Sequence, residues 1–421
     1  MPNRPHASRR PVPDSYPSVM RTTLACVAGL VALTAGSAAQ TIRVATFNLE
    51  DVRTRELLDG NSPRLRRLAE VIQRLRPNVI LLNEITYDMP GGPDVPEGQQ
   101  GRNARRFADF YLGLPQTDDL ASGPDLIRYE AFMAPTNTGV PSGFDLDNSG
   151  EAVRTFPFPA EPGAELPEAE RARAQAFAND CWGFGTFPGQ YGMGLLVDSR
   201  LRIRAEQART FRKLPWSYMD GAAMPVAADG KLWYSEEEAK YFRLSSKSHW
   251  DVPVELPGGA VVHFLCSHPT PPAFDGPEQR NKRRNHDEIR FWADYVNDTG
   301  GYIVDDSGVG GGLPRSASFV VLGDLNADPE RGDSYRNPIL NQLGSVKRLN
   351  LSFVPRAEVP AGEPGPGSAV TSAFGLRVDY VLPSKDLIVE RGGVWTSLPS
   401  GTQRFPSDHF PVWVELTVPP P

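Results

Sequence analysis

Apolar positions along this chain fall mostly into short runs, and those runs tend to end on a polar side chain. Thr41 to Phe47 alternates polar and apolar residues and reads as a strand, with Asn48-Leu49-Glu50 at its tip. Pro63 to Leu75 repeats Leu65, Leu68, Val71, Ile72 and Leu75 at helical spacing; Pro63 suits a first turn and Arg76-Pro77-Asn78 a stop. Val79 to Leu82 is uninterrupted and reads as a buried strand leaving through Asn83-Glu84-Ile85. Strand, helix and strand make an α/β unit whose two polar tips share an end if the strands are parallel. Arg102 to Leu112 predicts a helix with Phe107, Phe110 and Tyr111 on one face. Gln190 to Val197 opens a further strand, with glycines that allow close approach. Phe242 to Leu256 and Gly259 to Cys266 read as an antiparallel hairpin around Pro257-Gly258, closed by Ser267-His268-Pro269 because proline cannot continue the pairing. Ser318 to Leu322 is a buried strand that ends in Gly323 and delivers Asp324 and Asn326, two apart and so on one side of a strand end. Leu376 to Leu382, Leu387 to Trp395 and Val412 to Val418 supply the last strands, and Ser407-Asp408-His409 precedes the final one.

Between these elements lie stretches without periodicity. Met89 to Gly101 and residues 360–367 read as surface loops. Residues 135–189 form a long insertion without clear strands, apart from an alanine- and glutamate-rich helix over Glu165 to Ala178. Leu214 to Lys240 is a second insertion carrying Trp216, Tyr218, Trp233 and Tyr234, aromatics that pack a loop down or wall a pocket. Asp145 to Glu151 spaces oxygens as a short calcium loop does but lacks the twelve-residue pattern, so an exposed turn is the expectation and a structural Ca²⁺ the alternative. Pro277 to Val296 predicts a helix with Arg280, Arg284, Asp287 and Phe291 on roughly one face, either a solvated charged face or a pair of substrate-binding arginines turned to phosphate. No internal repeat and no second domain emerge. Mixed strands with few helices suggest two packed sheets with helices outside.

The N-terminus changes the picture. Met20-Arg21, an apolar stretch from Leu24 to Leu33 and the small-residue exit ending at Ala39 read as a secretory signal peptide, with a mature chain of 40–421 that is secreted or periplasmic. That apolar stretch is too short for a comfortable membrane span. Without residues 1–39 the chain carries 40 basic and 50 acidic residues, a net charge of −10 against −7 for the whole. With no Lys/Arg run either, the balance weighs against a processive nucleic-acid binder. Cys181 and Cys266 remain, either bridged or as buried thiols. No His-x-x-x-His or paired-cysteine spacing suggests a zinc hydrolase.

Polar strand tips of metal-ligand or acid–base type therefore recur: Asn48, Glu84, His268, Asp324 with Asn326, Asp379, and Asp408 with His409. In order, Phe47-Asn48, Asn83-Glu84, Tyr191-Gly192, Ser267-His268-Pro269, Gly323-Asp324-Leu325-Asn326, Arg377-Val378-Asp379-Tyr380 and Ser407-Asp408-His409 make the chain resemble the endonuclease/exonuclease/phosphatase superfamily, the fold of DNase I-like nucleases, inositol polyphosphate 5-phosphatases and bacterial sphingomyelinases. The resemblance implies an α/β (α+β) four-layer α-β-β-α sandwich of two mixed β-sheets. It also implies a Mg²⁺-dependent phosphoesterase, with Mn²⁺ as a substitute, acting as a monomer. Glu84, Asn48 and Asp408 would then hold the metal. His409, oriented by Asp379, would be base or phosphate contact; Asp324 would orient or deprotonate the water, and which of the two takes the proton stays open. Asn326 would contact phosphate, while His268 and Tyr191 would donate to oxygens gaining charge. The insertions near 135–189 and 214–240 exceed a minimal member and would border the site. They leave the substrate open among nucleic acid, phospholipid head groups and small esters, the acidic balance and the aromatics leaning toward the last two. A secreted nuclease and a binding protein that has lost catalysis are the alternatives.

Overall fold

Two six-stranded sheets face each other. In the first, β1 (Gln40–Val52), β2 (Val79–Ile85), β3 (Tyr129–Phe132), β4 (Met193–Asp198), β11 (Ile388–Val394) and β12 (Val412–Val418) run in the order β11-β12-β1-β2-β4-β3. The second contains β5 (Arg202–Ile203), β6 (Arg209–Thr210), β7 (His249–Glu255), β8 (Val261–Ser267), β9 (Ser318–Asp324) and β10 (Asp379–Pro383), in the order β10-β9-β8-β7-β5 with β6 also on β7. Only β1–β2 and β8–β9 are parallel, so both sheets are mixed. This is a computed structural model; it describes residues 39–90, 92–156, 167–357 and 367–421. The segment expected to be a signal peptide, up to residue 38, and most of the 360–367 loop lie outside the described residues.

Side-chain alternation sets the layers. Val320 and Leu322 of β9 and Phe264 of β8 join Val44, Leu81 and Leu195 of the first sheet in the core between the sheets. Their neighbours Phe319, Val321 and Leu265 point the other way, onto Ile289, Phe291 and Trp292 of α7 (Arg280–Asn297). A strand buried on both faces needs no polar position, which is why β9 reads as a continuous apolar run. On the opposite side Leu65, Leu68 and Ile72 of α2 (Pro63–Leu75) pack on the first sheet, and Ser62 caps that helix by accepting from Leu65 N. The shorter helices are α1 (Thr54–Asp59), α3 (Asn103–Phe107), α4 (Asp118–Ser122), α5 (Glu168–Asn179), α6 (Glu236–Tyr241) and α8 (Pro338–Asn341).

Several elements depart from the periodicity. β1 runs on to Val52 past an irregular stretch in which Glu50 and Asp51 take positive φ. After α3 the chain widens into a π-helical turn, Ala108–Leu112; Phe107 stacks on Tyr111 at 5.8 Å, and Phe110 falls outside that face and is 48% exposed. The hairpin forms as expected but starts only at His249, because residues 243–248 fold back over the insertion instead. The expected solvated face of α7 is buried: Asp287 accepts from Trp216 Nε1 (2.6 Å), and Phe291 packs on Phe211 with ring centroids 4.9 Å apart. Charged residues at helical spacing gave no sign that an insertion would cover them. Cys181 and Cys266 are both buried free thiols, in separate clusters, so no bridge joins them.

Candidate active site

Parallel pairing brings the tips of β1 and β2 together, and that of β8 beside β9; antiparallel pairing sets Asp379 directly across from Asp324. The two groups of tips meet at one edge of the sandwich. Asn48 Nδ2 donates to Glu84 Oε1 (3.1 Å) in its own sheet and to Asp324 Oδ2 (3.0 Å) in the other. Asn83 adds a second link, its Oδ1 accepting from Asp324 N at 3.3 Å. Sequence reasoning noticed Asn83 only as the neighbour of Glu84; an asparagine inside a strand carries no mark of the sheet it will touch.

His409 lies between two carboxylates. Its Nδ1 is 2.9 Å from Asp379 Oδ2, and its Nε2 is 3.8 Å from Asp324 Oδ2. His268 Nε2 approaches the same Asp324 oxygen at 3.5 Å. The pair is positioned from behind: Ser407 Oγ accepts from His409 N (3.1 Å) and donates to Asn48 O (2.8 Å), while Thr371 Oγ1 accepts from Asp379 N (3.1 Å). Asn326, whose φ is positive, donates its side-chain amide to Pro269 O (3.1 Å) and its backbone N–H to Asp324 Oδ1 (2.9 Å). It thus ties the His268 turn to the Asp324 tip, and its second amide N–H is the one left for a phosphoryl oxygen.

Burial governs the protonation of these groups. Asp324 is pushed up to about 7, first by loss of water and then by the Asp379 charge, against the opposing pull of His409. Burial alone would lower His409, yet Asp379 and then Asp324 outweigh it and lift the imidazole to about 10. His268 goes the other way: burial, Lys247 and His409 hold it well below the usual histidine range, so it is neutral. Glu84 is raised by burial and partly brought back by the Asn48 hydrogen bond and the charges of His409 and Lys247. Lys247, which the sequence did not single out, is buried in the site's wall, where desolvation lowers it against the pull of Glu288, Glu84 and Asp324.

This donor set fits a hard divalent cation. Carboxylate oxygens of Glu84, Asp324 and Asp379 gather at this edge, Glu84 hydrogen-bonded through Asn48 to Asp324, and Asp379 Oδ1 is buried without a hydrogen-bond partner; His409, protonated between its carboxylates, is no ligand. Asp408 is half-buried and adds negative charge beside His409. Tyr191 has positive φ and lines a cavity of about 770 Å³ together with Glu84 and His268. Arg280 and Arg284 line it too, but Arg284 donates to the carbonyls of Leu244, Trp182 and Arg243 at 2.9, 2.6 and 2.9 Å. Three of its five N–H donors therefore clamp backbone, which leaves fewer for phosphate than the reading of both arginines as substrate ligands supposed. Arg280 donates once, to Leu146 O at 3.2 Å, and keeps donors for the cavity. The Asp145 turn brings Asp145, Asp147 and Asp180 together, with Asp180 where Glu151 was expected. Their oxygens already accept from Ser149, Gly150, Leu146 and Val153 N–H groups, as in a self-satisfied turn.

Comparison with known proteins fits this geometry. The sequence pattern described as the Endonuclease/Exonuclease/phosphatase family matches residues 45–409. No curated protein matches the chain. Among solved structures, an endonuclease/exonuclease/phosphatase from Beutenbergia cavernae is 18% identical, with 90% of this chain and 72% of that chain covered and a TM-score of 0.49. TDP2 from C. elegans is 13% identical over 90% and 75% of the two chains (TM-score 0.42), and the human Nocturnin catalytic domain, solved with a sulfate anion, 14% over 90% and 97% (TM-score 0.42).

Proposed function

Because the chain belongs to the endonuclease/exonuclease/phosphatase family and so is a hydrolase of phosphate esters, we propose that it is an exported, Mg²⁺-dependent phosphoesterase acting by water attack on a phosphate diester or monoester. The observation that carries this reading is His409 held between Asp379 and Asp324, with Glu84 and Asn48 on the same edge. A divalent cation held by Glu84 and Asn48, with Asp408 near, would supply charge neutralisation on phosphoryl oxygens.

The chain's own groups divide the remaining work. Asp324, with a pKa of about 7, is poised to take a proton from water near neutral pH. His409, raised to about 10, is an imidazolium at that pH, suited to contact the phosphoryl oxygens or to give a proton to the leaving group. Asp379 fixes its Nδ1 and stabilises its charge. Neutral His268 presents an N–H to oxygen that gains charge, as does Tyr191, whose hydroxyl burial keeps protonated. The assignment of base to Asp324 rather than His409 is thus a reading of the electrostatics.

Cleavage of a leader is compatible with the described strands. Gln40 is the first residue of β1 and pairs with Val418, so cleavage after Ala39 would cut no described strand. The test is turnover of bis-p-nitrophenyl phosphate, p-nitrophenyl phosphate, plasmid DNA, RNA, sphingomyelin and inositol phosphates with Mg²⁺. Turnover of at least one ester, lost in Asp324→Asn, is the expected result. Binding without turnover across the panel would favour a non-catalytic protein on the same scaffold.

A further inference from the structure

The 770 Å³ cavity has Glu84, Tyr191 and His268 in its lining, so it opens directly onto the catalytic edge. The rest of its wall comes largely from the two insertions and the start of α7. Asn179 and Phe184 come from the first insertion, Tyr234 from the second, and Phe274 and Arg280 from the approach to α7. Three features limit what it accepts.

The first is size, which lies within the roughly 300–1,000 Å³ of pockets that enclose compact organic ligands. The second is charge: Lys247, Arg280 and Arg284 line it, and Glu84 at the catalytic end is the one acid among the described lining residues. Glu278, 3.8 Å from Arg280, and Glu288, acting on Lys247 and Arg284, offset part of that charge from outside the lining, so it is the surface a ligand meets that disfavours a quaternary ammonium. The third is surface chemistry. Tyr234 and Phe242 lie with ring centroids 4.6 Å apart, and Phe274 is 94% exposed. The amides of Gln175, Asn179 and Asn281 stand among these rings. Gln175, Asn179 and Asn281 each donate once, to Asn179 Oδ1, Asp147 Oδ2 and Ala273 O, and keep further amide atoms for a ligand, so rings with interspersed amides suit a planar group that also hydrogen-bonds.

The wall also holds unpaired polar atoms. Ser246 Oγ, Thr270 Oγ1 and His268 Nδ1 are buried without a hydrogen-bond partner, and all three residues line the cavity. Buried polar atoms are rarely left so, and oxygens of a ligand would pair them. Ser246 and Thr270 are set in place by Glu288, which accepts from Ser246 N and Thr270 N at 2.6 Å each.

We propose that this cavity is the specificity site of the phosphoesterase, receiving the organic group esterified to phosphate and selecting a compact, planar, uncharged or anionic aromatic over a cationic head group. The proposal rests on the phosphoesterase reading and deepens it. Its test uses methyl p-nitrophenyl phosphate, whose released p-nitrophenolate reports catalysis, with four competitive inhibitors: inorganic phosphate, phenyl phosphate, 5′-AMP and phosphocholine. Expected are inhibition constants for 5′-AMP and phenyl phosphate at least 10-fold below that of phosphate, and a value for phosphocholine no lower than that of phosphate. In the double variant Phe274→Ser/Arg280→Gln, the 5′-AMP-to-phosphate ratio should move at least 5-fold toward one. Phosphocholine binding more tightly than 5′-AMP, equal constants for 5′-AMP and phosphate, or an unmoved ratio in the double variant would each overturn the proposal. Absence of any turnover would instead sink the phosphoesterase reading, and calorimetric binding of the same four ligands to the Mg²⁺-treated protein would still read the cavity.

Discussion

His409 is the residue on which most of the chemistry converges, and its proton is the first thing to measure. Its folded pKa, about 10, is raised above the ordinary histidine value of 6.5. The stability it contributes in the metal-free protein is therefore fully present below about pH 6.5 and lost as pH rises through about 10. Urea unfolding of metal-free protein should show stability falling over that window, and His409→Gln should flatten the fall. NMR of the imidazole should find the Asp379→Asn variant titrating clearly lower, since the largest raising influence is gone. In turnover, His409→Ala should cost roughly 10²–10⁴-fold. Asp379→Asn should cost less with the fold intact, and the double variant should be little worse than His409→Ala alone, because both changes break one unit. Multiplicative losses would separate the two residues. The pairing of His409 with Asp379, thirty residues apart, was readable only from the resemblance; no spacing rule joins them. Lys247 escaped altogether and Asn83 stood out only as the neighbour of Glu84, because a lysine among Ser-Ser-Lys-Ser and an asparagine in an apolar strand look like surface and turn residues until both sheets are in place.

At the scale of elements, the strands that deliver the site were legible because they are buried on both faces and end abruptly. β12 and α2 were predicted to the residue. What periodicity could not give were β5 and β6, two residues each, whose existence depends on pairing with β7. The close approach of β8 and β9 falls at Gly323, which the sequence marked only as the end of the strand, and it can be tested there. Gly323 has φ +140°, and a Cβ would lie 2.0 Å from Ser267 O. Gly323→Ala must push the two strand tips apart, and with them His268 and Asp324. We expect a loss of stability of about 2–4 kcal/mol in urea unfolding, and turnover reduced at least 10-fold in the molecules that still fold. Retention of both would mean that the tips tolerate a separation this account excludes. Arg284 makes the same point for α7. Its donations to three carbonyls hold residues 182 and 243–244 against the helix. Arg284→Ala strands those carbonyls and should cost about 2–4 kcal/mol, and Arg284→Lys should recover little because a single ammonium cannot reach all three. A stability loss under 1 kcal/mol would return Arg284 to the list of phosphate contacts.

For the whole molecule, the two sheets are joined by apolar packing in the middle and by polar links at the catalytic edge. At that edge Asn48 and Asn83 both reach Asp324, and Ser407 reaches Asn48. Two of the carboxylates placed there, the part-buried Glu84 and the buried Asp324, are raised by loss of water, so the folded state carries them as anions only at a cost. Asp324 favours the folded state in its protonated form. That advantage is fully present below about pH 3.9 and lost as pH rises through about 7, so the metal-free protein should weaken toward pH 8. A bound divalent cation prefers the ionised carboxylates and reverses this trend. It should raise the melting temperature more at pH 8 than at pH 5.5, where Asp324 is largely protonated. Saturation at 100 times the dissociation constant corresponds to about 2.7 kcal/mol of added stability. Removing the metal with EDTA should abolish turnover, and Mg²⁺ should restore it. Glu84→Gln should lose most of the pH 8 melting shift while its metal-free melting temperature stays level or rises, since a costly buried charge has been removed. An equal or larger Mg²⁺ shift at pH 5.5, or a full shift in Glu84→Gln, would place the cation away from this edge.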